Sequence, residues 1–377
     1  MKHARVVASS IIAVTAFLAS SDAAARERWS PEQARKWDEA TPWLVGANYT
    51  PAYAINQLEM WQAESFDPKA IDRELGWAQE LGFTSMRVFL HHKLWEQDRE
   101  GFLKRIDQFL AIADKHDIGV MLVLFDSVWD PHPKLGKQRE PQKGLHNSGW
   151  VQSPGADDLL DPSRHKLLEE YVRGVVTHFK DDDRVQVWDL WNEPDNTNGN
   201  SYGKNKLNQE PADKVERTLP LLKQSFAWAR ESEPSQPTTS GVWIGNWADP
   251  AKLSPTERVQ LEESDIISFH TYDPLPGMKK CVENLRRYDR PILCTEYMAR
   301  PRGSTFDPHL GYMKEEGVGA YCWGFVAGKS NTIYPWDSWQ KPYDAEPEEW
   351  FHDIFREDGS PYRPKEVEFI KSVTKNR

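Results

Sequence analysis

Eight short apolar runs recur along the chain, and each is followed by a segment whose apolar residues return every three or four positions. The run at 118–125 sets the constraint most sharply, because apart from Gly119 every side chain in it is apolar. A strand of that kind must be covered on both faces, as parallel strands flanked by helices are. The other runs fall at 43–49, 84–90, 185–193, 238–245, 265–272, 291–297 and 319–325. Helical patterns lie between them at 67–81, 102–116, 163–179, 212–231, 255–263, 277–288 and 306–316, with a last helical region near the end. Strand and helix therefore alternate eight times with no linker, which predicts an α/β chain folded as a single (β/α)8 TIM barrel.

In such a barrel, chemistry gathers at the carboxyl ends of the strands. Polar and aromatic residues stand at those ends here: Asn48, Arg87, Asp126, Asn192, Glu193, His270, Tyr272, Glu296 and Trp323. The segment from Asp126 to Asp161 is Pro- and Gly-rich, carries Trp129 and Trp150, and is too long to be a mere connection. Strands four and seven face each other across a barrel mouth, so Glu193 and Glu296 can meet although they are far apart in the chain. Two facing carboxyl groups can cleave a glycosidic bond, one as an acid and one as a nucleophile or as a base for water, depending on their separation.

Trp191-Asn192-Glu193-Pro194 and Thr295-Glu296-Tyr297 resemble the strand-four and strand-seven signatures of clan A glycoside hydrolases, and most closely those of the family 5 type cellulases and β-mannanases. Arg87, His270-x-Tyr272 and Trp323 stand in the same order as in that family. The resemblance implies a retaining hydrolase with Glu193 as general acid/base and Glu296 as nucleophile. It also implies that Asn192 bonds a sugar 2-hydroxyl, that Arg87 and Tyr272 hold Glu296, and that Trp323 floors a subsite; by their places at strand ends and in the long loop, Asn48, Asp126, Trp129 and His270 are expected to line the substrate site. Where many family members carry a histidine after strand three, this chain has Asp126 and then Trp129; the pair His91-His92 matches no family signature.

Local geometry adds two expectations. Adjacent residues of a regular strand point to opposite faces, so bringing both Asn192 and Glu193 to one site requires a bulge or sharp twist there. By the same parity, Cys294 should point inward with Glu296, while Cys322 should point out toward the helices. Three cysteines, Cys281, Cys294 and Cys322, make no disulfide framework, and all three are expected to be free thiols.

A net charge of −11 and a pI near 5.6 disfavour nucleic acid and anionic membranes as partners. Seventeen tryptophans offer flat faces for stacking on sugar rings, so the expected partner is a neutral β-linked oligo- or polysaccharide of β-1,4-glucan, mannan or xylan type. No metal, no other cofactor and no obligate subunit is expected. Lys2, His3 and Arg5, an uncharged run over 6–19 and small residues to Ala25 read as a Sec-type signal peptide of residues 1–25. This leaves residues 26–377 as one catalytic domain in a periplasm or the medium. An exo-acting glycosidase or transglycosylase would use the same glutamates if the loops after strands three and eight walled one end of the groove, and a non-catalytic carbohydrate-binding barrel is a further alternative.

Overall fold

The computed structural model describes residues 26–199 and 210–375. The segment expected to be a signal peptide, and most of the polar stretch expected as a loop after strand four, lie outside the described residues. Eight parallel strands form one sheet: β1 Val45–Asn48, β2 Ser85–Phe89, β3 Gly119–Asp126, β4 Val185–Asn192, β5 Thr238–Thr239, β6 Ile267–His270, β7 Ile292–Tyr297 and β8 Gly319–Trp323. They are ordered β5-β4-β3-β2-β1-β8-β7-β6. The remaining edges meet through a parallel bridge between Val242 and Phe269, with Val242 N donating to Ser268 O and His270 N to Val242 O. The barrel is thereby nearly closed.

Helices α1 Pro31–Ala40, α2 Gln57–Trp61, α3 Pro68–Leu81, α4 His92–Lys115, α5 Ala156–Leu160, α6 His165–Phe179, α7 Lys214–Glu231, α8 Pro255–Glu263, α9 Leu275–Leu285, α10 Phe306–Glu315 and α11 Pro364–Thr374 surround it. Their limits follow from local chemistry. Asp67 caps α3 by accepting from Lys69 N and Ala70 N, Pro68 sits at the first position, and Gly82 ends the helix with φ of 78°. Ser30 and Gln33 form a capping box on α1, as Ser254 and Glu257 do on α8.

Two elements differ from expectation. The helix after β2 begins ten residues early, at His92, and kinks at Asp98. His91 caps it through Nδ1, which accepts from Lys93 N at 3.2 Å. His92 is buried between Ser153 Oγ at 2.8 Å and Asp158 at 2.9 Å, so the unplaced histidine pair fastens a helix start to the long loop. The fifth strand is only two residues long instead of eight. Beyond it the chain turns away, and Ser240 Oγ donates to Trp191 O at 2.7 Å in place of a ladder bond.

The main core lies between strands and helices, where each fully buried aliphatic or phenyl side chain contributes roughly 1.5–3 kcal/mol by leaving water. A smaller cluster of Leu44, Met121, Val187, Ile266, Leu293 and Tyr321 fills the barrel floor beneath Ala34 and Trp37 of α1. Arg26 and Trp29 N both bond the Asp265 carboxylate, at 2.6 and 2.7 Å, and hold this plug.

All three cysteines are free thiols; Cys322 faces the helices as expected, but the parity expected of Cys294 is overturned. Leu293 belongs to the barrel floor, while Cys294 joins Cys322 in the helix-side core. Glu296 still returns to the mouth because the β6–β7 register slips between the pairs Phe269–Cys294 and His270–Glu296. One extra residue in β7 reverses the alternation.

Candidate active site

β4 leaves regular geometry where its two polar side chains are delivered. Asp189 and Asn192 both bond Arg87, although a strictly alternating strand would send residues three apart to opposite faces. Pairing with β3 continues through Asp126 opposite Asn192, and Glu193 then adopts φ of 46°. The expected irregularity is therefore a left-handed turn at Glu193, a conformation rare for a non-glycine residue. Pro194 follows and prevents the ladder from resuming.

Arg87 is fully buried and organises four elements. Its Nη1 donates to Asn48 Oδ1 at 2.7 Å and to Glu296 Oε1 at 3.2 Å; its Nε and Nη2 donate to Asp189 Oδ2 at 3.0 and 2.8 Å; and Nη2 donates to Asn192 Oδ1 at 2.7 Å. Burial opposes the guanidinium charge, but Asp189 and Glu296 outweigh it and raise its pKa. A permanent cation thus stands in the middle of the mouth.

The two glutamates lie across this cation and are both buried. Tyr272 Oη donates to Glu296 Oε2 at 2.7 Å. His270 Nδ1 is 2.9 Å from Glu193 Oε1 and 3.6 Å from Glu296 Oε2. Burial lowers the His270 pKa to about 4, so at neutral pH the ring is uncharged and its Nδ1–H is assigned to Glu193. Burial pushes Glu193 up to about 7, against the Asn196 amide that donates to its Oε2 at 2.6 Å. Glu296 is also raised by burial, with His270, Arg87 and Tyr272 acting in the other direction. The two carboxyls thus sit in different surroundings, Glu193 beside a neutral imidazole and an amide, Glu296 supplied with a cation and a phenol.

The remaining expected residues fall into two places. Asp126 is buried and accepts from Asn192 Nδ2 at 2.9 Å, Val128 N at 3.1 Å, Trp150 Nε1 at 2.6 Å and Gln57 Nε2 at 3.3 Å. Burial raises its pKa to about 7, and its contacts point to orientation of Asn192. Trp323 is half-buried and meets Phe89 and Trp150 edge-on, at 5.9 and 6.3 Å between ring centres. Trp129 packs against the Phe89–Val123–Trp150 cluster that also meets Trp323, and its ring stacks on Trp339 at 5.2 Å.

That stack joins two loops. His146 N donates to Ser338 Oγ at 2.9 Å, its Nδ1 lies 2.8 Å from Tyr334 O, and Asn147 N donates to Ser330 O at 2.9 Å. Further along, Trp336 meets Tyr272 edge-on at 4.9 Å. A continuous wall therefore runs from Trp129 after β3, over the β8–β1–β2 half of the mouth, to Tyr272 after β6.

Several residues of the site escaped the sequence reading. Asp189 had a signal, an acid in the middle of an apolar strand, where charge is tolerated only with a partner. Asn196 and Lys214 had none. Lys214 is fully buried, donates to Ser127 O at 2.9 Å and Asn196 O at 2.6 Å, and pairs with Glu210. A lysine at the start of a helix is ordinarily solvated, and only the tertiary fold turns this one inward.

One atom each of Glu193, His270 and Glu296 lies within 4.8 Å of the others, a spacing that could hold a metal ion. Arg87 and Tyr272 already supply a positive charge and a donor to Glu296, so the set is also self-consistent as a proton-handling site.

A parallel barrel with two carboxyl groups facing across its mouth is an arrangement that suits glycoside hydrolysis. The chain belongs to glycosyl hydrolase family 5, the Cellulase family, which matches residues 52–361. No match is found among curated proteins. Similar solved structures include an exo-beta-1,4-mannosidase from Opitutaceae bacterium strain TAV5, with TM-score 0.57 and 20% identity over 89% of this chain. The chain spans only 60% of that protein. A GH5_18 protein from Streptomyces cattleya in complex with Manb1-4GlcNAc has TM-score 0.56 and 13% identity, covering 89% of this chain and 81% of its own. The endo-1,4-beta-D-mannanase from Thermotoga petrophila RKU-1 has TM-score 0.54 and 14% identity, covering 89% and 99%. At these identities the likeness to the solved structures is one of fold.

Proposed function

We propose that the protein is a retaining glycosidase of β-linked mannosides, with Glu296 as nucleophile and Glu193 as acid/base. The observation that carries this reading is the shared contact of both carboxylates with one imidazole nitrogen, at 2.9 and 3.6 Å. Such closeness suits direct attack and leaves little room for an intervening water, as expected of pairs about 5–5.5 Å apart. Glu296 attacks the anomeric carbon, the bond to the leaving oxygen breaks, and Glu193 gives that oxygen its proton. Water then attacks the same carbon, Glu193 takes its proton, and Glu296 leaves as carboxylate.

Around this chemistry, Asn192 bonds the sugar 2-hydroxyl, Arg87 and Tyr272 hold Glu296, and Trp323 is the floor. His270 and Asn48 complete the lining. Asp126 acts through Asn192, and Trp129 through the wall. Mannosides are favoured because the similar solved structures above include an exo-mannosidase, an endo-mannanase and a complex with Manb1-4GlcNAc. The wall on the β8–β1–β2 half favours attack at chain ends over attack within a chain. Export with cleavage near Ala25 is part of the same reading, supported by the basic start and small-residue end of the leader; among the described residues no helix is long and apolar enough to cross a membrane. Hydrolysis of manno-oligosaccharides followed by proton NMR tests the mechanism: the β-anomer should appear first, and an initial α-product would overturn it.

A further inference from the structure

A cavity of about 20 Å³ is bordered by Trp323 together with Asn48, Phe89, Asn147, Ser330 and Asp353 among others. Two of these side chains are buried with polar atoms that no protein group satisfies. Asn147 is 1% exposed and neither its Oδ1 nor its Nδ2 has a partner; Asp353 is 1% exposed and its Oδ1 has none. Buried polar atoms are almost always paired, and leaving one unpaired carries a penalty. Asn147 and Asp353 also sit at φ of 50° and 59°, conformations that persist only where surrounding structure enforces them and that gather at ligand clamps.

The enforcement is visible. Asn147 N donates to Ser330 O at 2.9 Å, Thr332 Oγ1 donates to Asp353 Oδ2 at 2.7 Å, and Arg300 Nη2 donates to Asp353 O at 2.8 Å. Gly324 leaves the space beside Asp353 clear, since a β-carbon there would stand 2.7 Å from Asp353 Oδ1. The two loops that form the wall therefore each present one unsatisfied polar side chain to the same small space, next to the aromatic floor.

We propose that Asn147 and Asp353 are specificity-determining residues that receive one hydroxyl group of the terminal sugar lying on Trp323. The inference rests on the glycosidase reading above and goes further by naming what recognises the chain end. A space of this size holds one water-sized group. A hydroxyl fits it, whereas a second pyranose ring does not. An amide with donor and acceptor and a carboxylate oxygen are complementary to a hydroxyl, which both donates and accepts. Substrates thus enter with a non-reducing end against the wall and leave as single sugars.

The test measures kcat/KM for an aryl β-mannoside and its 3-, 4- and 6-deoxy glycone analogues with the wild type, Asn147→Gly and Asp353→Asn. Glycine preserves the left-handed backbone at 147, and asparagine preserves shape at 353, so folding is retained in at least one variant. One deoxy analogue should lose roughly 10- to 100-fold against the wild type and lose nothing further in a variant. Equal losses in wild type and both variants, meaning a cavity that serves water only, would overturn the proposal. So would early mid-chain products from manno-oligosaccharides. A wild type that hydrolyses a different aryl β-glycoside would correct the sugar assigned above, while the same coupling stays measurable on that substrate's deoxy analogues.

Discussion

Lys214 Nζ donates to Asn196 O at 2.6 Å, and the side chain of the same asparagine donates to Glu193 Oε2 at 2.6 Å. A buried lysine therefore fixes the loop that carries the hydrogen-bond donor to Glu193. Asn196→Ala removes a donor that favours the ionised carboxylate, so the Glu193 pKa rises. The alkaline limb of kcat/KM should move to higher pH, with KM little changed. A lower plateau with an unmoved limb would mean that Asn196 has only a structural role.

The wild-type profile follows from the same group. Glu193 must be protonated to donate, and burial sets its pKa at about 7, so activity is lost as pH rises through that value. On the acid side, activity falls as Glu296 is protonated, giving a bell. A rate that stays flat from pH 6 to 9 would contradict the assignment of the acid.

Glu193→Ala should lower kcat/KM about 10²- to 10⁴-fold on substrates with poor leaving groups and much less on nitrophenyl glycosides, whose leaving oxygen needs no proton, while kcat falls on both because the second step loses its base. Glu296→Ala should abolish turnover of both. Steady-state kinetics on the two substrate types separates the roles, and equal losses of kcat/KM in Glu193→Ala would remove the acid role.

Asp189→Asn leaves the buried Arg87 charge without its closest carboxylate. Breaking a buried ion pair in this way destabilises by about 3–5 kcal/mol, read as a shifted midpoint in urea unfolding. Retention of full stability would show that Glu296 alone compensates Arg87, and activity should then fall through a held-back nucleophile.

Much of the molecule was legible because its signals are local. Apolar runs such as 118–125, the Asp67 cap and the Gly82 stop are decided by side-chain type and backbone preference within a few residues. Arg87, Asn192, Glu193, His270, Tyr272 and Glu296 were legible because strand ends converge in any closed barrel. The register of Cys294 was not, because the one-residue slip in β7 is set by how β6 and β7 pair, and no property of residues 292–297 alone distinguishes the two alternations.

The sequence by itself determined the alternation of strand and helix and which polar side chains arrive at the strand ends, since both follow from periodicity and chain order. Tertiary structure decided the left-handed turn at Glu193, the inward course of Lys214 and the meeting of Asn147 with Asp353. Each of these depends on contacts between segments far apart in the chain, whose energies exist only once the barrel has closed.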